Sequence, residues 1–211
     1  MSRRTPPPPP PAHLRAWPDR DAMRADRGRA MDELSRRYLG PGRLAGFWGL
    51  VAGVLAGWGV VGVALQAFVG VTDPITVTLG AAVGAVGLAG MVTAGIFLGV
   101  SVRRDRAIRS LLVEWAAVGE GHGGFGDDAR WRAPGLSLAW MLPSLLMCGL
   151  GLWASFGFAA GARAGADTYA DAAFFIGLGA LLWVAGLIGA AKAVRHYRWA
   201  LRGLARAVRA A

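Results

Sequence analysis

Four tracts of this chain, residues 44–70, 75–100, 136–162 and 172–191, contain no Asp, Glu, Lys, Arg or His. Each reaches or exceeds the ~20 residues a helix needs to cross a hydrocarbon layer of ~30 Å. Backbone N–H and C=O groups must be satisfied within the bilayer. Tracts this long and this uniform can do so only as α-helices, since barrel strands are about half as long and alternate in polarity. The rest of the composition agrees: with 55% hydrophobic residues, 32 glycines and a mean hydropathy of +0.42, the chain is too apolar for a soluble domain of 211 residues. The expected fold is an all-α integral membrane protein with four transmembrane helices in two hairpins.

The cations give this bundle a direction. Ten Arg precede the first tract, six lie within 101–134 and six Lys or Arg follow residue 191, whereas the other two connections hold only Arg163. By the positive-inside rule, both termini and the central connection are cytoplasmic and the protein is a multi-pass protein of the inner cell membrane. A net charge of +10 and a pI of 11.4 suit nucleic-acid phosphates and anionic head groups alike. No nucleic-acid-binding motif accompanies the charge, so the anionic lipid of the inner leaflet is the expected partner and nucleic acid is not. The 43 residues ahead of the first tract, and that tract's length, read as a retained signal anchor instead of a cleaved leader. Cys148, the single cysteine, removes disulfides and cysteine metal sites from consideration.

Six regions follow from these patterns. Residues 1–19 form a proline-rich tail, stiff over Pro6–Pro11. Residues 20–43 read as a cytoplasmic amphipathic helix with Met23, Met31, Leu34 and Tyr38 on one face, closed by Gly40-Pro41-Gly42. The first hairpin is 44–100. A cytoplasmic helix with Ile108, Leu111, Leu112 and Trp115 on one side, then a glycine-rich loop, fill 101–135. The second hairpin is 136–191. Residues 192–211 form a basic amphipathic helix in which Val194, Tyr197, Leu201, Leu204 and Val208 make an apolar stripe. Lys192, Arg195, Arg198, Arg202, Arg206 and Arg209 make a cationic one, suited to a lipid surface. Such a helix can either continue the fourth span into a bundle or lie on the membrane.

The halves also resemble one another. "VRRDRAIRSLL" from Val102 matches "VRHYRWALRGL" from Val194 at an offset of 92 residues, Trp48 matches Trp140 at the same offset, and "PGRLAGFW" matches "PGLSLAW" at 93. This suggests a tandem repeat of parallel hairpins.

Within the spans, glycines recur four residues apart and share helix faces: Gly49, Gly53 and Gly57 in the first, Gly80, Gly84, Gly95 and Gly99 in the second, Gly157 and Gly161 in the third, and Gly186 with Ala190 in the fourth. Faces without side chains let backbones approach closely, within one chain, in a homo-oligomer or against another membrane protein. Pro143 predicts a kink in the third span. The spans hold no ionisable group, which argues against an ion-coupled carrier or a small multidrug exporter. Gly119, Gly121 and Gly124 make a formal GxGxxG, but it follows a helix and not a strand. Glu120, His122, Asp127 and Asp128 match no metal-ligand spacing, and Asp167, Tyr169 and Asp171 build no catalytic arrangement. No catalytic, cofactor or metal residue is assigned, and no enzyme activity is expected. The expected role is structural or accessory, with assembly through glycine faces and contact to lipid or a cytosolic partner through basic helices. The alternative is a transporter or pore subunit whose path forms in an oligomer.

Cysteine labelling of intact cells tests the orientation. Cysteines replacing Asp73 and Asp167 should react from outside, and one replacing Asp128 should not; external labelling of Asp128→Cys would reverse the assignment.

Overall fold

Proline begins three of the helices, at Pro41, Pro74 and Pro134, where its missing N–H costs nothing and its fixed φ suits the first turn. The computed structural model describes residues 8–10, 17–70, 73–118, 134–163 and 168–210, with tail side chains as far as Arg202. It contains α1 (Arg20–Leu39), α2 (Pro41–Ala67), α3 (Pro74–Ala117), α4 (Pro134–Gly161) and α5 (Tyr169–Ala210), with no strand among the described residues. Each of α2 to α5 carries an apolar stretch long enough to cross a membrane.

Some of the junctions between these regions are short or continuous. Gly40 ends α1 but does not open a loop: its N–H donates to Arg36 O at 2.8 Å, and its own carbonyl accepts from the Arg43 and Leu44 amides at 2.9 and 3.1 Å. One residue thus closes α1 and starts α2. A Cβ at this position would lie 2.1 Å from Arg36 O, so only glycine fits. α3 continues from its apolar stretch through the basic residues to Ala117. Similarly α5 runs without a break from the fourth span through the basic tail, and α4 runs through Pro143.

The starts of α3 and α5 are capped by short polar motifs. Asp73 accepts from the Thr76 N–H at 3.0 Å and its hydroxyl at 2.9 Å, and these bonds hold the carboxyl below its ordinary range. Thr168 and Asp171 form a reciprocal capping box, Thr168 N–H to Asp171 Oδ2 at 3.0 Å and Asp171 N–H to Thr168 Oγ1 at 3.2 Å. Gln66 of α2 also donates to Asp171.

The chain divides into two units. The apolar unit holds 45–101 and 141–191. In it α2 meets α3 along a descending series of small residues: Gly53 with Ala94, Gly57 with Gly87 and Met91, Ala64 with Gly84, Ala67 with Gly80. A Cβ on Gly57 would lie 2.8 Å from both Gly87 O and Met91 N. The same motif joins α4 to α5, where a Cβ on Gly151 would lie 2.6 Å from Gly179 O and 2.7 Å from Trp183 N. Gly186 sits on Cys148 and Ser144 O, and Gly189 on the Ser144 hydroxyl. Between α2 and α5, besides the Gln66–Asp171 hydrogen bond, the contacts are aromatic: Trp58 Nε1 donates to Phe174 O at 3.0 Å, and the Trp58 and Phe174 rings lie over Gly177 and Gly62. Only 6% of the most apolar stretch of α3 is buried, against 28% for α2, so α3 lies on the outside of this unit.

Of the glycines expected at packing faces, Gly57, Gly80, Gly84 and Gly186 stand tightly against a neighbouring helix and Gly53 makes ordinary contact. Gly49, Gly95, Gly99 and Gly161 face nothing within 4 Å, and Gly157 meets only Trp153 of its own helix. Gly87, Gly151 and Gly179, which sequence spacing did not select, sit in tight contacts, because crossing geometry decides which turn of a face is used.

Gly57→Ala and Gly151→Ala should each lower stability by about 1–3 kcal/mol through overpacking. Gly49→Ala should be neutral or raise stability by up to about 1 kcal/mol from helix propensity. Thermal unfolding of the detergent-solubilised protein measures both; equal effects at 49 and 57 would contradict the packing described.

Candidate functional site

The second unit gathers α1, the first residues of α2, α3 from Val102, α4 as far as Trp140 and α5 from Lys192. Its core follows the helical period of each piece. Arg27, Met31, Leu34, Ser35 and Tyr38 are buried on α1, and Ile108, Leu112, Trp115 and Ala116 on α3. Trp140 is buried on α4, and Ala193, His196 and Ala200 on α5. Of the faces expected for α1 and the basic end of α3, Met31, Leu34, Tyr38, Ile108, Leu112 and Trp115 are buried and Met23 and Leu111 half-buried, whereas Arg27, Ser35 and Ala116 are not among those expected.

Charge is unusually deep here. Lys192, the only lysine beside 22 arginines, is 7% exposed. Its Nζ lies 2.6 Å from Asp105 Oδ2, and the other Asp105 oxygen accepts from Arg43. The same ammonium lies 4.0 Å from the ring centre of Trp140 and 4.7 Å from that of Tyr38. Trp140 is fixed in turn by its Nε1, which donates to Leu39 O at 3.0 Å. One residue from each of the five helices therefore meets at a single ion pair: Tyr38 and Trp140 at Lys192, and Arg43 at Asp105.

The energetics explain the residue types. An ammonium taken out of water loses several kcal/mol of hydration, roughly, and a lone carboxylate does not recover it unless the geometry is good. Here two aromatic faces supply cation–π attraction, which strengthens on desolvation, and Asp105 has a cation on each oxygen. Lysine suits the position because a compact charge can approach one oxygen and two ring faces together, whereas a planar guanidinium could not satisfy all three. Burial pushes the Tyr38 hydroxyl above its ordinary range, so its ring stays neutral. The Tyr38 ring also meets His196 at 5.7 Å between centres, and His196 meets Trp199 at 5.2 Å. At the far end, Arg27 Nη2 donates to Ala116 O at 3.1 Å, satisfying a terminal carbonyl of α3 with a buried cation.

This arrangement binds helices to one another. Both oxygens of Asp105 are engaged by cations, and burial pulls the Lys192 ammonium below its ordinary range while its hydrogen bond to Asp105 opposes that shift. Among the described residues no cluster of three His, Cys, Asp or Glu could hold a metal. Glu120, His122, Asp127, Asp128, Gly119, Gly121, Gly124 and Asp167 lie outside the described residues.

The tail differs from its expected stripes. Lys192 is enclosed instead of facing lipid, whereas Arg195, Arg198 and Arg202 are exposed. Val194 and Leu201 face outward too, at 40% and 44% exposure. The inward face is 192, 193, 196 and 200, a set the hydrophobic pattern concealed because its members are a lysine, a histidine and two alanines. The side chains of Leu204, Arg206, Val208 and Arg209 lie outside those described. Trp48 and Trp140, matched in the repeat, have different settings: Trp48 Nε1 is buried without a partner among the described residues, whereas Trp140 is bonded in the five-helix cluster. The signals that could have revealed the cluster were the solitary lysine and the solitary acid in "VRRDRAIRS".

Comparisons with protein-family models, with curated proteins and with solved structures find no match.

Asp105→Ala should cost about 3–5 kcal/mol, since it leaves two cations without their carboxylate. Lys192→Met should cost less, because length is kept and Arg43 still neutralises Asp105. Chemical unfolding in detergent checks the order; a larger loss for Lys192→Met would show that the aromatic contacts outweigh the ion pair.

Proposed function

We propose that this chain is a structural or accessory protein of the inner cell membrane, neither an enzyme nor a carrier. Both termini lie in the cytoplasm, where its basic helices meet anionic lipid or a cytosolic partner. The observation that carries the reading is the nature of the contacts in the apolar unit. Where α2 crosses α3 and α4 crosses α5, backbone is against backbone, with small residues in the seams and no Asp, Glu, Lys, Arg or His. Such seams hold helices together and offer no polar site for an ion or solute to pass through. Charged groups are concentrated in the other unit, where Lys192 and Asp105 pair with each other and Arg195, Arg198 and Arg202 are exposed.

The four spans form two hairpins, α2 with α3 and α4 with α5, related by duplication. Equivalent contacts support this: Gly87 and Met91 lie against Gly57, and Gly179 and Trp183 against Gly151, where Gly87/Gly179 and Met91/Trp183 are 92 residues apart and Gly57/Gly151 are 94 apart. The outward faces of α3, with Gly95 and Gly99 open, are available for self-association or for another membrane protein.

Purified protein reconstituted into liposomes should give no proton, cation or dye flux above that of empty vesicles. Flux that rises with the protein-to-lipid ratio and is lost on Gly57→Leu would replace this reading with a pore or carrier.

A further inference from the structure

Arginines are distributed over α1, α3 and α5, but they are not equally neutralised. On α1 four arginines are matched by acids one turn away, Arg24 with Asp21, Arg29 with Asp26, Arg36 with Asp32 and Arg37 with Glu33, at 3.4, 2.6, 3.1 and 2.7 Å, and Arg20 at its first turn is exposed without an ion pair among the described residues. At the exits of α3 and α5 the pattern reverses. Asp105 is the only acid from Val102 to Val113, and it is occupied by Lys192 and Arg43. No acid at all follows Lys192. Arg103, Arg104, Arg106 and Arg198 are exposed and have no acidic partner among the described residues.

Their height along the helices is fixed by helix geometry. At ~1.5 Å per residue, Arg103–Arg106 stand ~5–9 Å beyond Val100 and Arg198 ~10 Å beyond Ala191. The head-group layer on each side of a ~30 Å core is ~5–8 Å deep in a bilayer of ~40–45 Å, and arginine side chains reach along their stems toward it. Val194, one helical turn before Arg198, is exposed at 40%, as expected at an interface that is apolar on one side and ionic on the other.

From this placement we infer that Arg103, Arg104, Arg106 and Arg198 form a docking surface for the phosphates of anionic phospholipids, and that α1, despite its arginines, does not. The ion pair at Asp105 has a second consequence: it consumes the one acid that would otherwise neutralise this surface. The inference rests on the four spans lying in a bilayer as proposed above.

The test uses the full chain in phosphatidylcholine bilayers carrying spin-labelled phosphatidylglycerol or phosphatidylcholine, with the fraction of motionally restricted lipid measured by electron paramagnetic resonance. Wild type should prefer phosphatidylglycerol several-fold, and the preference should weaken as salt rises. Replacing the four arginines by Gln should bring the ratio close to one, whereas Arg24, Arg29 and Arg36→Gln should leave it largely intact. Circular dichroism and elution volume identify variants that fold. A wild-type ratio of one overturns the inference and assigns the arginines to a protein partner; equal losses in the two variants overturn it in favour of total charge. The lipid is the same on both faces of the bilayer, so a wrong orientation would appear in the labelling of intact cells and not in this ratio.

Discussion

The contact between the Lys192 ammonium and Asp105 brings together residues that are 87 positions apart, and a residue from every helix touches one member of that pair. The two aromatic faces on Lys192 come from α1 and α4, and the second cation on Asp105 comes from α2. A hydrophobic core tolerates small sliding of its members, because dispersion is weakly directional. A 2.6 Å ion pair boxed between two rings does not. It fixes the rotation of α3 and α5 about their own axes, and the stripe of α5 that faces inward follows from that fixed point. This explains why Val194 and Leu201 are left outside while an alanine and a histidine take the interior positions.

A different kind of contact dominates the apolar unit. In a membrane, apolar side chains gain nothing by leaving lipid for protein, so association depends on close packing. The seams at Gly57 and Gly151 achieve this by bringing a carbonyl and an amide of the facing helix to within 3 Å of where a side chain would begin. The aromatic contacts of α2 with α5 do the complementary work, each ring lying against a glycine on the other helix. Specificity therefore lies in small residues placed opposite large ones or opposite backbone, not in hydrophobicity, which is nearly uniform along all four spans.

Much of the fold was legible because bilayer length and uncharged composition are coarse signals that tertiary context cannot easily overrule. The helices of α2 to α5 and the buried faces of α1 and α3 come from such signals. The internal contacts were less accessible. Four-residue glycine spacing identified Gly57 and Gly84 but also Gly49 and Gly99, which touch nothing within 4 Å, since periodicity gives a face and not the height at which two helices cross. The capping box at Thr168 and Asp171 was readable from Thr-x-x-Asp before an apolar run. The five-helix cluster was hidden for a deeper reason: a lysine following an apolar run carries the same signature whether it emerges into head groups or turns inward to a carboxylate 87 residues away. Only the position of Asp105 on the facing helix distinguishes the two.

Gly40 has a consequence for how the cluster can assemble. Because its N–H finishes one helix and its carbonyl begins the next, Tyr38 and Arg43 are held on either side of a one-residue elbow. Two of the five members are thus positioned by local chain geometry, with almost no loop to close, and they arrive as a preformed pair. The conformational entropy spent on assembling the cluster is concentrated in bringing α3, α4 and α5 to that pair. In kinetic terms α1 and α2 can act as a template on which the later helices settle in the order in which they are made.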